Sequence, residues 1–285
     1  VNHLEIPAEL AFILSKLDDW PGCPGAVARA PAAAGAVVVS PTISVPRQLP
    51  GDVDQHAFSK FTSIYFKSHV WGMKREPIRT PFLAKASDAQ HQESLALFKL
   101  ILRFMNDGHL SGRRERVLGD YVVQRGLQER PMRDELLCQL CNQTWQNDNE
   151  VNRQRAWLLM ANCLSCFAPS SQLYKYLLKY VSDHGSQDGY AGHCQQQLLR
   201  SHGRDARVYP PCMLEWQANS KKARMALQAA FYDGSEPLMG SLDSWTTGEE
   251  FAAPLVQARG VQDPFGWTVD LEHGSASYGL CGADY

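Results

Sequence analysis

Two Cys-x-x-Cys pairs, Cys138/Cys141 and Cys163/Cys166, are the residues of this chain whose spacing most resembles working chemistry. Four thiolates at that spacing suit a structural zinc site. They equally suit small buried hydrophobes on helices. Their neighbours, Leu137, Leu140, Leu159, Met160 and Leu164, are good helix formers at core spacing and favour the second reading. A redox role would need a preceding βαβ pattern, and none precedes either pair. His193 and His202 could be added to Cys194 as ligands, but scattered histidines are more often satisfied or exposed. No GxxxxGK[ST] phosphate loop, Ser/His/Asp set or HExxH motif is present, so neither nucleotide hydrolysis nor another catalytic activity is expected of these residues.

The elements that carry these residues follow from hydrophobic period. Ile6 to Leu17 reads as a short helix opened by Pro7, within a first segment of residues 1–20. Residues 21–52, rich in Pro, Ala, Gly and Val, lack a sustained period and read as a linker. From residue 53 helical spacing dominates. Phe58, Phe61, Ile64 and Tyr65 share a face, as do Leu95, Phe98, Leu102 and Met105. Gly126 is placed to end a helix carrying Val117, Tyr121 and Val122. Pro131 can open the next, with Leu136, Leu137, Leu140 and Cys141 inward. Helices over 151–167, from Leu173 to Gly185 and over 191–201 complete six or seven, a packed all-α domain over residues 53–225.

Beyond Pro210-Pro211 the period changes to two. Met225, Leu227, Ala229 and Phe231 alternate, Asp233-Gly234 signals a turn, and Leu238 to Leu242 supplies a return strand. Thr246 and Glu249 have capping-box spacing for a helix ending at Gly260, which Pro254 should kink or shorten. Trp267, Val269 and Leu271 alternate again, with Ser277 to Leu280 available to pair. The order strand, strand, helix, strand, strand opens a ubiquitin-like β-grasp unit over residues 226–285, which the chain leaves incomplete at Tyr285.

The net charge of -2 hides an asymmetry: residues 51–225 carry +7 and residues 226–285 carry -8. A basic domain draws acidic partners through its long-range field. Three clusters could hold them by charge-assisted hydrogen bonds: Lys74, Arg75 and Arg79; Arg113, Arg114 and Arg116; and Lys221, Lys222 and Arg224. Each could also be ordinary solvated surface, and the third could instead pair with the acidic segment that follows it. Trp71, Trp145, Trp157 and Trp216 read as packing residues. No run of 18 apolar residues suggests a membrane span, and no signal-peptide pattern opens the chain, which begins at Val1. That points to a fragment of a longer protein kept inside the cell.

Several long runs, in order, resemble the myosin tail homology 4 domain of unconventional myosins. They are YFKSHVWGMKREPIRTPFL (65–83), LALFKLILRFMND (95–107), RDELLCQLCNQTWQN (133–147), RAWLLMANCLSCFAPS (155–170), LYKYLLKYV (173–181) and CMLEWQANSKKARM (212–225). DSWTTGEEF and ARGVQDPFGWTVDLE resemble the first lobe of the FERM module that follows this domain in the family. NHLEIPAELAFILSKLDDW and the WGMKREPI run are most similar to class XV, then class VII. The resemblance implies a mainly α fold, a compact multi-helix bundle followed by a truncated β-grasp lobe, with both cysteine pairs on helices that carry no metal. It implies a cargo- and cytoskeleton-binding tail module in the cytoplasm, without cofactor. Its partners would be protein cargo or acidic peptide segments and, in some members, microtubules. Actin would be met only through a motor region outside these residues, and nucleic acid is not an expected partner. The competing reading remains a zinc-stabilised interaction domain using Cys138, Cys141, Cys163 and Cys166.

Overall fold

A computed structural model describes residues 4–18, 37–39, 48–68, 71–110 and 112–285. The chain forms two compact units that divide between Pro211 and Cys212, the stretch around Val37–Val39 belonging with the second. The first unit is helical: α1 (Ala8–Asp18), α2 (Phe58–Tyr65), α3 (Asp88–Asn106), α4 (Gly112–Gln128), α5 (Arg133–Thr144), α6 (Glu150–Leu164), α7 (Ser171–His184) and α8 (Ala191–Ser201). The second holds β1 (Val37–Val39), α9 (Met213–Lys221), β2 (Arg224–Ala229), β3 (Leu238–Leu242), α10 (Gly248–Ala258), β4 (Asp270–His273) and β5 (Ala276–Gly279).

Local chemistry starts and stops the helices. Ser87, Asn149 and Ser170 cap α3, α6 and α7 by accepting the N–H of Gln90, Asn152 and Leu173. Asp134 at the start of α5 in turn holds Ser170, accepting its N–H at 2.8 Å and its hydroxyl. Arg133 closes α4 from outside, donating to the carbonyls of Gly126 and Leu127 at 2.8 and 3.2 Å. Gly126 does not end that helix, which runs on to Gln128. It is glycine because a Cβ would meet the Phe167 ring at 2.5 Å. Ile64, expected inward, is 55% exposed, while α3 buries Leu97, Phe98, Leu100, Ile101, Leu102, Phe104 and Met105 around most of its girth.

Helices α5 and α6 sit at the centre, where Glu135, Gln139, Asn142, Gln143 and Thr144 of α5 and Arg153 and Asn162 of α6 are buried although polar. A helix covered on all sides loses the amphipathic stripe of a surface helix. On α5 those polar groups serve the irregular segment 72–83. Glu135 accepts the N–H of Phe82 at 3.0 Å and of Leu83 at 2.8 Å. The Gln139 amide donates to it at 3.0 Å, and the Lys85 ammonium lies 3.5 Å away. One turn on, Asn142 accepts the Lys74 N–H at 3.0 Å and donates to the Gly72 carbonyl at 2.8 Å. Gln143 donates to the Lys74 carbonyl at 2.7 Å. Lys67 and Phe82 close the segment on itself through a 2.9 Å N–H to carbonyl bond.

In the second unit β1, β2 and β3 form an antiparallel sheet in that order, and β4 pairs with β5 in a separate hairpin. The linker expected over 21–52 therefore contributes a strand, β1, on the edge of β2; three valines in a row suit a pleated backbone. Its remaining residues 21–36 and 40–47 lie outside those described. The expected helical domain ended at 225, whereas α9 groups with the strands. The strand, strand, helix, strand, strand order from β2 to β5 is the one expected. The capping box of α10 is Thr247 with Glu250, one residue later than the spacing suggested, and α10 continues through Pro254. Gly240 lets the Phe251 ring close on β3, since a Cβ there would stand 2.3 Å from it.

The buried clamp makes Glu135→Ala costly. Removing it leaves the Phe82 and Leu83 N–H groups unpaired and the buried Lys85 charge uncompensated, a loss of about 3–5 kcal/mol. Urea unfolding followed by circular dichroism measures it, and a loss under about 1 kcal/mol would remove the clamp from the account.

His184 gives a pH signature. The residue is exposed, but its ring packs on that of Tyr180 at 4.7 Å, and the partial desolvation there holds the imidazole below the ordinary value of 6.5. The unfolded chain then binds the proton first as pH falls, so its contribution to stability is lost below pH 6.5 as the folded value is approached. Thermal melts of wild type and His184→Gln between pH 5 and about 7.5 should show a shallower slope in the variant.

Candidate partner-binding surface

The four paired cysteines are fully buried within the helical unit. Cys138 and Cys141 lie on α5, Cys163 near the end of α6 and Cys166 just after it. Burial pushes the Cys138, Cys141 and Cys163 thiols well above their ordinary value. The Cys166 sulfur faces the Tyr209 carbonyl at 3.7 Å. Among the described residues, no group of three or more His, Cys, Asp or Glu side chains could hold a metal ion. His202 stacks on Tyr174 with ring centroids 4.0 Å apart, and His193 meets the edge of Tyr190. Trp157 and Trp216 are buried, and half-buried Trp71 and Trp145 pack on each other at 5.6 Å.

The three basic clusters fare differently. Lys74, Arg75 and Arg79 come together on the segment clamped by α5. With Lys67, Ser68, Met73, Glu76, Pro77, Ile78, Thr80, Pro81 and Phe82 they line a groove of ≈ 680 Å³. Four cationic residues and the single carboxylate of Glu76 contribute to its lining. Lys67, Arg75 and Arg79 are exposed and Lys74 is half-buried.

The second cluster is divided by helix geometry. Arg113 and Arg116, three residues apart, share a side of α4, while Arg114 turns away. Arg114 lines a cleft of ≈ 280 Å³ beside α1, together with Ile6, Leu14, Arg103 and Asp107. Burial works against the Asp107 carboxylate there, but the His109 N–H and the Arg103 guanidinium outweigh it and hold its pKa below the ordinary value. Tyr121 beside α1 donates to Glu9, and burial, then that carboxylate, pushes its hydroxyl up to about 12.

The third cluster lies in the second unit, and one of its members is committed internally. Arg224 donates to the Ser241 hydroxyl at 2.8 Å and pairs with Asp243 at 3.4 Å. Lys222 takes the left-handed conformation that ends α9, with φ 51°. Lys221 is exposed on the last turn of α9.

Lys67, Met73 and Ile78 were not singled out by sequence. All sit in the run 65–83, and only the fold shows that Lys67, Ser68 and residues 73–82 line a groove. The MyTH4 domain family matches residues 119–218, reaching into α9. Over its whole length the chain is 42% identical to human unconventional myosin-XV and 36% identical to human unconventional myosin-XVB. The helical unit is a MyTH4 domain of the unconventional myosins. The chain spans 8% of that myosin-XV and 9% of that myosin-XVB. In fold, this MyTH4 domain with the unit that follows resembles the Dictyostelium discoideum myosin VII MyTH4-FERM MF1 domain. The TM-score is 0.72 at 20% identity, covering 85% of this chain and 52% of that one. It also resembles the human myosin 7b C-terminal MyTH4-FERM domain, solved in complex with the harmonin-a PDZ3 domain. There the TM-score is 0.68 at 21% identity, covering 86% and 51%. No described helix is long and apolar enough to cross a membrane.

Alkylation tests the state of the thiols. In the native MyTH4 domain Cys138, Cys141, Cys163, Cys166 and Cys194 should resist iodoacetamide at pH 8, while exposed Cys281 reacts. Cys212 should react more slowly, because burial and Glu215 push its thiol up. Mass spectrometry reads each site. Native labelling of the buried five, or about one zinc per chain released together with folding, would overturn the core assignment.

Proposed function

We propose that this chain binds cargo for an actin-based unconventional myosin, and that its MyTH4 domain holds acidic protein segments through basic surface groups. The observation that carries the reading is the groove lined by Lys67, Ser68 and residues 73–82, where four cations share the lining with one carboxylate. Elsewhere in the domain many cations are already neutralised: Arg125 by Glu93, Arg153 by Asp188, Arg155 by Glu115 and Lys175 by Asp52. No ion pair among the described residues involves Lys67, Lys74, Arg75 or Arg79. Unpaired charge on a fixed backbone is available to a partner.

Of the three clusters, the groove is therefore the primary site. Arg113 and Arg116 add a weaker patch, Arg114 belongs to the cleft beside α1, and Lys221, Lys222 and Arg224 contribute least. The myosin 7b relative, solved with a PDZ domain of harmonin-a, supports protein cargo as the partner class. Microtubules fit the same chemistry, since tubulin tails are acidic. Actin would be engaged by a motor region elsewhere in a full-length myosin, placing the tail in the cytoplasm at the cytoskeleton.

Fluorescence polarisation of a labelled polyglutamate peptide with the full chain tests this. Affinity should fall at least tenfold between about 50 and 500 mM NaCl, as screening shortens the reach of exposed charges. Arg75→Glu with Arg79→Glu should weaken binding roughly tenfold or more, and Lys221→Glu with Lys222→Glu by less than about threefold. Salt-independent binding, or no loss from the groove pair, would count against the reading.

A further inference from the structure

The groove is not uniformly polar. Met73, Pro77 and Ile78 are half-buried in it, and Pro81 and Phe82 form a buried apolar floor. Its ≈ 680 Å³ is an open depression, shaped to receive one face of a ligand and leave the other in water. Both walls are pinned: Phe82 to Lys67 and Glu135, Lys74 to Asn142 and Gln143. A purely charged ligand would satisfy the rim and leave the apolar surface of Met73 and Ile78 in water.

We propose that this groove recognises an extended acidic peptide in which an apolar side chain is set between acidic residues. The carboxylates meet Lys67, Arg75 and Arg79 at the rim, and the apolar side chain covers Met73, Ile78 and Pro81. The occupant is extended because the groove is lined by irregular backbone without the long apolar stripe that a bound helix requires. Charge complementarity chooses an acidic segment, and the floor chooses among acidic segments. The inference rests on the acidic-partner reading above and adds selectivity to it.

The test compares two labelled peptides binding to the full chain, one with an acid-acid-Leu-acid-acid core and one with that Leu replaced by Ser. The leucine peptide should bind about tenfold more tightly, the effect of burying one aliphatic side chain. Ile78→Ser in the protein should reduce that ratio to about twofold, while Arg75→Glu with Arg79→Glu weakens both peptides together. Because the ratio also depends on the peptide alone, it stays informative if Ile78→Ser lowers stability. Equal affinity for the two peptides, or a ratio untouched by Ile78→Ser, would overturn the apolar recognition and leave the charge reading standing. Failure of both peptides to bind wild-type chain would remove the acidic-partner reading and this inference with it.

Discussion

The buried polar ladder on α5 is the constraint on which the first unit depends. Segment 72–83 is irregular, and Pro77 and Pro81 deprive it of two backbone donors. Such a segment cannot pair with itself as a helix or a sheet does, yet much of it lies against the core, where each unpaired N–H or carbonyl costs about 1–3 kcal/mol. Glu135, Asn142 and Gln143 meet that requirement from one helix, two turns of regular backbone serving an irregular one. The desolvation of Glu135 is offset in turn by two backbone N–H groups, an amide and the Lys85 ammonium.

From that clamp the character of the groove follows. Its cations are long and solvated, but the segment that carries Lys74, Arg75 and Arg79 is held to α5 at both ends, at Lys74 and at Phe82. A ligand therefore does not have to order the site as it binds, which is where many flexible charged surfaces lose affinity. The clamp also gives the groove a floor, because Phe82 is drawn down toward α3, its ring 6.1 Å from that of Phe98. Mutations on α5 should thus reach the groove without touching any ligand.

Much of this was legible in the sequence, for definite reasons. Helices with apolar spacing of three and four declared themselves, as did Leu238 to Leu242 after its turn. What was not legible depended on what covers a residue. The stripe Glu135, Gln139, Asn142 and Gln143 has the spacing of an exposed face, and nothing local reports that an irregular segment lies over it. Gly126 looks like a stop until the Phe167 ring is seen against it. Val37–Val39 sits in a stretch whose composition reads as linker, and only pairing with β2, distant in sequence, makes it a strand. Clusters failed in the same way. Arg113, Arg114 and Arg116 are adjacent in sequence but split around a helix, and Arg224 was committed to Asp243 by a hairpin the charge count could not anticipate.

The acidic segment after residue 225 sharpens the argument about where free positive charge resides. Cations next to it in sequence are the ones most readily consumed, as Arg224 is, and consumed cations orient a hairpin rather than hold a partner. Cations in the groove lie far from it in sequence, on a segment held by α5 at Lys74 and Phe82, and several carboxylates of their own unit pair elsewhere: Glu93, Glu115, Glu135 and Asp188 each hold another cation. A net charge of -2 for the whole chain therefore says little about binding. What matters is which positive groups the fold leaves unneutralised and holds still, and in the MyTH4 domain those stand over an apolar floor.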